Sequence, residues 1–184
     1  MNIHDLFIVI FGLIYIVFGT WYLTEFFIGR VVRAAPQVPS SKRLREAVIR
    51  EINENFPGEK KVIDIGSCYG GLARKIAKEC PGTEVVAVER MLLPSTVSKI
   101  SDFALRRNSK TYWANAFDYI EKSEGFDIGV AYLLTPMMAR LEKYKNKFKV
   151  LILLDFPLPN TKETRKVKLH RDYLGQHWMY IYEF

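Results

Sequence analysis

The residues richest in chemical possibility lie between Val62 and Glu89. The run Val62-Ile63-Asp64-Ile65-Gly66-Ser67-Cys68-Tyr69-Gly70-Gly71 carries an apolar stretch into an acid and then into a glycine-bearing turn. Glycines let a backbone turn sharply and approach a ligand closely. A helix that starts after such a turn offers unpaired N–H groups to a carboxylate. One strand further on, Glu89 closes the apolar run Val85-Val86-Ala87-Val88. An acid at that place accepts hydrogen bonds from both hydroxyls of a ribose. A ligand with an ammonium group, a carboxylate and a ribose suits this set, and S-adenosylmethionine has all three. Asp64 would hold the ammonium group, directly or through water. A nicotinamide dinucleotide is the competing ligand, but it wants the GxGxxG spacing that accommodates a pyrophosphate. Here the glycines are Gly66, Gly70 and Gly71, with an acid before the first. The plainer alternatives are a turn-capping acid at Asp64 and a solvated strand end at Glu89.

These residues need a sheet and helices to position them. Lys61 to Ile65 reads as a first strand and Gly70 to Glu79 as a helix, stopped by Pro81-Gly82. Glu84 to Val88 is a second strand, Ser95 to Arg107 a helix, and Thr111 to Ala114 a short third strand. Phe126 to Leu134 is a fourth strand. Thr135-Pro136 suits the start of a helix through Lys147, with Met137, Leu141, Tyr144 and Phe148 along one side. Val150 to Phe156 is a fifth, wholly apolar strand. Lys166 to Leu169 and Trp178 to Tyr182 read as a closing antiparallel hairpin. Alternating strands and helices imply a parallel sheet covered on both faces. With the hairpin, the expected fold is α/β: a doubly wound, seven-strand Rossmann-like methyltransferase sheet.

Ahead of this domain, Leu6 to Ile28 is almost continuously apolar and contains no Lys or Arg. At about 1.5 Å per residue such a helix crosses a hydrocarbon core of about 30 Å. A cleaved signal peptide would want a basic start and a small-residue cleavage site, and neither is present. The expectation is a retained transmembrane helix over residues 1–29, a Pro-containing linker over 30–41 and a methyltransferase domain over 42–184. In the linker, Pro36 and Pro39 disfavour helix. Ser40 or Ser41 can cap the helix that follows, whose apolar face is Leu44, Val48, Ile52 and Phe56. Arg30, Arg33, Lys42, Arg43 and Arg45 follow the apolar helix, and no Lys or Arg precedes it. The positive-inside rule then puts the domain in the cytoplasm and the N-terminus outside. The net charge of +7 suits a surface near anionic lipid headgroups. Its scatter and the lack of a nucleic-acid-binding signature argue against nucleic acid as a partner. Cys68 and Cys80 lack the CxxC spacing of a structural metal site, and no metal is expected. His170 and His177 flank an expected turn and are read as exposed loop residues.

The chain resembles the small membrane-anchored protein-lysine methyltransferases of the ATP synthase c-subunit lysine methyltransferase family and their bacterial relatives. The resemblance rests on the N-terminal apolar helix, Pro36-Gln37-Val38-Pro39-Ser40, Asp64-Ile65-Gly66-Ser67, Glu89, Tyr132-Leu133-Leu134-Thr135-Pro136 and Phe156-Pro157-Leu158-Pro159. It implies methylation of a lysine side chain, on a membrane protein, with S-adenosylmethionine as donor. Several positions depart from the family pattern. The loop after the serine is usually Gly-Asp-Gly, and here it is Cys68-Tyr69-Gly70. An aromatic is usual where Gln37 stands. An acid is usual after the third strand, where this chain has Trp113-Ala114-Asn115-Ala116-Phe117-Asp118, so Asn115 would serve the adenine or Asp118 would reach back.

The expected cofactor set is therefore Asp64, Gly66, Ser67, Gly70, Glu89 and Asn115. The acceptor would lie above the fourth and fifth strand ends, between Tyr132, Thr135 and Pro136 on one side and Phe156 and Pro157 on the other. Asp155 is a candidate because it stands at a strand end, whereas Asp127 starts its strand at the opposite edge. The alternative function is a non-catalytic adaptor at the membrane, with Cys68 and the missing adenine-side acid as its support.

Overall fold

The structure, a computed structural model, describes residues 2–31, 40–105, 108–173 and 175–184, with residues 25–31 as backbone alone. The chain forms two units, Met1–Ala35 and Pro36–Phe184. The linker residues from 32 to 39, including Pro36, Gln37 and Pro39, lie outside the described residues.

The first unit is a single helix, α1 (Ile3–Val31). Asp5 accepts the Asn2 N–H at 3.0 Å, an acid where the helix dipole favours one. The hydroxyls of Thr20 and Thr24 donate to the carbonyls of Ile16 and Thr20 at 2.8 and 2.7 Å. Their polar atoms are thus satisfied within the helix and its outer surface stays apolar. The 22 residues Ile3–Thr24 are long and apolar enough to cross a membrane.

In the second unit, helix α2 (Lys42–Asn55) is capped by the Ser41 hydroxyl, which accepts the Leu44 N–H. Then follow β1 (Lys60–Ile65), α3 (Gly71–Glu79), β2 (Thr83–Glu89), α4 (Leu92–Ala104), β3 (Ser109–Trp113), α5 (Ala116–Lys122), β4 (Phe126–Ala131) and α6 (Thr135–Leu141). A 3-10 turn over Glu142–Lys147, β5 (Phe148–Leu154), β6 (Arg165–Asp172) and β7 (Gly175–Glu183) complete the chain. The seven strands form one sheet in the order β3-β2-β1-β4-β5-β7-β6. The first five run parallel, and β7 is antiparallel to both neighbours.

Side chains alternate across the sheet. Val62, Val85, Ala87, Val130 and Ile152 pack with α2 and α3 on one face. Ile63, Ile65, Val86, Val88 and Leu151 pack with α5 and α6 on the other. Burial on both faces is why the central strands read as unbroken apolar runs. The carboxyl ends of the parallel strands therefore share one edge. Because β7 runs the other way, its start reaches that same edge, with Met179 opposite Leu154. At the opposite edge Asp127 accepts the Lys61 N–H and pairs with Lys149, both at 2.7 Å.

Several boundaries differ from the sequence expectation. The helix expected from Ser95 begins at Leu92, because Pro94 is tolerated in a first turn. The long helix expected from Thr135 to Lys147 breaks after Leu141 into the 3-10 turn. Strand β5 begins at Phe148 and ends at Leu154, so Asp155 and Phe156 lie beyond it. Strand β4 ends at Ala131, which frees Tyr132 and Leu133 into the loop. Helix α5 was not expected at all.

Candidate active site

The β1–α3 turn is fastened to β2. The Gly66 and Ser67 N–H groups both donate to the Val88 carbonyl, at 3.0 and 3.1 Å, and Gly70 N–H donates to Ser67 O at 2.8 Å. Gly66 (φ 75°), Cys68 (φ 51°) and Gly70 (φ 70°) all take left-handed backbone. At Gly66 a Cβ would stand 2.8 Å from the Leu133 side chain, and at Gly70 it would collide with the Ser98 hydroxyl. Packing of α4 and of the β4–α6 loop is thus sufficient reason for these two glycines. The left-handed φ at Cys68 is the conformation that the Gly-Asp-Gly pattern leads one to expect. Burial pushes the Cys68 thiol up to about 11 against a hydrogen bond from Tyr69 N–H, with Glu89 and Asp64 adding to the rise.

Asp64 is buried, and its Oδ2 accepts the Ala73 N–H at 3.1 Å. It therefore caps the first turn of α3, as the plainer alternative held. Burial raises its carboxyl to about 7; the Ala73 N–H pulls it down, Glu89 pushes it up and Arg74 pulls it down. Glu89 is also buried. Its Oε2 accepts the Cys68 N–H at 2.8 Å and its Oε1 the Met91 N–H at 2.7 Å. It is not a solvated strand end, because it clamps the loop to the start of α4. A carboxylate offers about four lone-pair sites, and the Cys68 and Met91 N–H groups use two of those of Glu89.

Asn115 is the N-cap of α5, its Oδ1 accepting the Phe117 N–H at 3.1 Å. The neighbouring Ala114 N–H donates to Glu89 O at 3.0 Å, which holds Asn115 beside the Glu89 strand end. Asp118 does not reach back; it is exposed and faces Arg140 at 3.4 Å.

One participant was not expected. Arg45, on α2, lies where a Cβ at Gly71 would come within 2.5 Å of its Nη1. Its head thus rests over the start of α3, and the absent side chain at Gly71 makes room for it. Three buried side-chain atoms among the described residues have no hydrogen-bond partner: Arg45 Nε, Ser67 Oγ and Thr83 Oγ1. The first two belong to this turn. The available signal for Arg45 was a basic residue beside Leu44 on the edge of an otherwise apolar helix face.

On the acceptor side, Tyr132 and Phe156 are partly buried, and Thr135, Pro136 and Pro157 are exposed. Asp155 takes a left-handed φ of 63°. Its Oδ1 accepts the Trp178 N–H at 2.9 Å and its Oδ2 lies 2.7 Å from His177 Nδ1. Burial raises the Tyr132 phenol to about 12, and the charge and hydrogen bond of Asp155 act in the same direction. His177 corrects the sequence reading: it is 4% exposed and lies in β7, while His170 lies in β6. Burial disfavours a charged His177, but Asp155 and Asp172 outweigh it and raise its pKa.

No protein-family model matches the chain, and no curated protein matches it. Solved structures do match by fold. An RNA methyltransferase from Salinibacter ruber, in complex with S-adenosyl-L-homocysteine, superposes with a TM-score of 0.65 at 16% identity, over 79% of this chain and 93% of that one. The precorrin-6y C5,15-methyltransferase of Geobacter metallireducens gives 0.58 at 12% identity, over 78% and 91%. The 16S rRNA N2 G1207 methyltransferase of T. thermophilus, in complex with AdoMet and guanosine, gives 0.58 at 18%, over 75% of this chain and 41% of that one. The fold is the seven-strand Rossmann-like methyltransferase fold.

Proposed function

We propose that the chain is an S-adenosylmethionine-dependent methyltransferase, anchored by residues 1–29, tethered by 30–41 and catalytic in 42–184, that methylates a lysine of a membrane protein. The observation carrying the cofactor reading is the turn between β1 and α3. There a cation, Arg45, rests over a helix N-terminus, which itself favours anions, and the Ser67 hydroxyl is buried without a partner. A carboxylate between them satisfies both. Asp64 supplies the complementary charge for an ammonium group, and Glu89 the acceptors for ribose hydroxyls. Gly66 and Gly70 shape the turn, and Asn115 edges the adenine end. The structures similar in fold include ones in complex with S-adenosyl-L-homocysteine or AdoMet.

The bound sulfonium would supply an activated methyl group. The chain's own residues align the amine and keep it neutral. An apolar pocket disfavours an ammonium ion, and Leu133, Phe156 and Pro157 can line one. Tyr132 stays protonated, donates to Asp155 and keeps oxygen lone pairs to accept an N–H from the amine. Thr135 and Pro136 form the opposite lip. Holding the amine in line with the methyl–sulfur bond is orientation work. The lysine acceptor is supported by the Pro36–Pro39 and Phe156–Pro159 resemblance, and the membrane by the apolar α1.

Purified full-length protein, incubated with labelled S-adenosylmethionine, its own membranes and total RNA, tests this. Mass spectrometry should find label on a lysine of a membrane protein. Label in RNA or a small molecule would overturn the acceptor assignment. Cofactor binding without any transfer would favour the adaptor reading, for which the bulk of Cys68 in the turn speaks.

A further inference from the structure

Four polar side chains from three strand ends converge beside the acceptor edge. His170 and Asp172 stand two residues apart on β6, so both point to one face. His177 stands across from them on β7. The pairing of β6 with β7 shifts register between Lys168 and Arg171, an irregularity of the kind that re-aims a side chain, and His170 lies inside it. The Gln176 side chain pins the irregular stretch, donating to the carbonyls of Leu169 and His177 at 2.9 and 2.8 Å.

The ring atoms meet in a specific way. His177 Nδ1 lies 2.7 Å from Asp155 Oδ2 and its Nε2 lies 3.0 Å from Asp172 Oδ2. His170 Nε2 approaches that same Asp172 oxygen at 3.6 Å. One ligand atom from each of His170, Asp172 and His177 lies within 4.8 Å of the others. If His177 carries its proton on Nδ1 and donates it to Asp155, its Nε2 lone pair faces a carboxylate lone pair. Either a proton or a cation bridges them. The second imidazole converges on the same oxygen, and the two rings lie 4.8 Å apart.

We propose that His170, Asp172 and His177 bind a zinc-class divalent cation, with Asp155 as the residue that orients His177. Two imidazoles and a carboxylate are nitrogen and oxygen donors suited to such an ion. Bonds of about 2.0–2.1 Å in a tetrahedron put neighbouring donors about 3.3 Å apart; the two pairs with Asp172 stand at 3.0 and 3.6 Å, and the set as a whole lies within 4.8 Å, so the ion would draw the two histidines together. A histidine ligand whose other ring nitrogen donates to a carboxylate is the usual support of such sites, and Asp155 gives His177 that support. On binding, any proton on a ring Nε2 leaves to solvent and the lone pair takes the cation. The ion would tie the β6–β7 turn to the end of β5, whose Asp155 also touches Tyr132. The site uses none of the proposed cofactor residues, and it meets the proposed acceptor pocket only through the bond between Asp155 and Tyr132.

The test uses full-length protein in detergent micelles, freed of any affinity tag and stripped with a chelator. Titration with zinc chloride, followed by calorimetry, should give one equivalent per chain and raise the thermal unfolding midpoint. His170→Ala and Asp172→Asn should lose the binding while staying folded by circular dichroism. Asp155→Asn should weaken it about 10–100-fold. Folded wild-type protein that takes up no zinc would overturn the site, leaving a proton between His177 and Asp172. Zinc held equally well by His170→Ala and by Asp172→Asn would overturn it too, as an adventitious ion only.

Discussion

Cys68 holds a left-handed backbone (φ 51°), which costs an L-residue about 1–2 kcal/mol. Glycine would relieve that strain but would also give up a buried side chain, worth about 1 kcal/mol. The two effects nearly cancel, so Cys68→Gly should leave the unfolding free energy within about 1 kcal/mol of wild type. Cys68→Val adds a β-branch where positive φ is least tolerated and should destabilise by more than about 1 kcal/mol. Chemical denaturation of both variants measures this. Asp64 behaves differently, because its chemistry follows pH. Its carboxyl titrates near 7 in the folded chain, above an ordinary acid. The folded state therefore holds that proton more tightly than the unfolded state does. The stability due to Asp64 is greatest at low pH, erodes as pH rises from about 4 to about 7, and is level beyond. Cofactor affinity should move the opposite way, because only the carboxylate attracts an ammonium group. Between about pH 6 and 7.5, below the titration of an α-amino group, affinity by calorimetry should rise about five- to tenfold. Asp64→Asn should bind more weakly and show no such rise; a parallel rise in the variant would take Asp64 out of the cofactor site.

At the scale of elements, Glu89 joins three pieces: the end of β2, the β1–α3 turn through Cys68 N–H, and the start of α4 through Met91 N–H. Glu89→Ala should lower stability by about 1–3 kcal/mol, because two buried donors lose their acceptor. It should also weaken S-adenosylmethionine binding by a similar amount, about 1–3 kcal/mol. Calorimetry under conditions where the variant is folded separates the two effects. Unchanged affinity in folded variant would make Glu89 a clamp and nothing more. The strands carrying Asp64 and Glu89 were legible because both are apolar on two faces and carry an acid at or beside their ends. Helix α5 was not, since it spans only 7 residues, too few for a 3.6-residue period to show. The hairpin was read too short at both strands: β6 lies at the sheet edge with none of its residues buried, and only Val167 and Leu169 carry an apolar alternation that announces it. The burial of His177 was invisible for a related reason. Its neighbours Asp155 and Asp172 arrive from other strands, and only the reversed direction of β7 brings them together. Arg45 was missed likewise, because its place depends on the side chain that Gly71 lacks.

For the whole molecule, the charges flanking α1 and its apolar length lead to one expectation about place and reach. No Lys or Arg precedes Leu6, and Arg30, Arg33, Lys42 and Arg43 follow Ile28. A reporter fused after Phe184 should accordingly be active only on the cytoplasmic side, and digestion of the second unit by protease added outside intact cells would reverse the orientation. If α1 spans a bilayer that also holds the acceptor, it acts by confinement. A tethered domain searches a thin layer beside the membrane, so an acceptor there meets it at a much higher effective concentration than in free solution. Asp64, Ser67, Glu89 and Arg45, the proposed cofactor residues, all belong to the second unit. Deleting residues 1–29 should therefore leave S-adenosylmethionine affinity within about twofold, while methylation of the native membrane acceptor falls by about 10²-fold or more at the same low protein concentration. Raising the soluble form to high concentration should restore the lost rate, because the chemistry is intact and only encounter is impaired. Calorimetry and label transfer to isolated membranes measure the two halves. Equal transfer by anchored and truncated forms at low concentration would mean that the acceptor does not reside in the membrane.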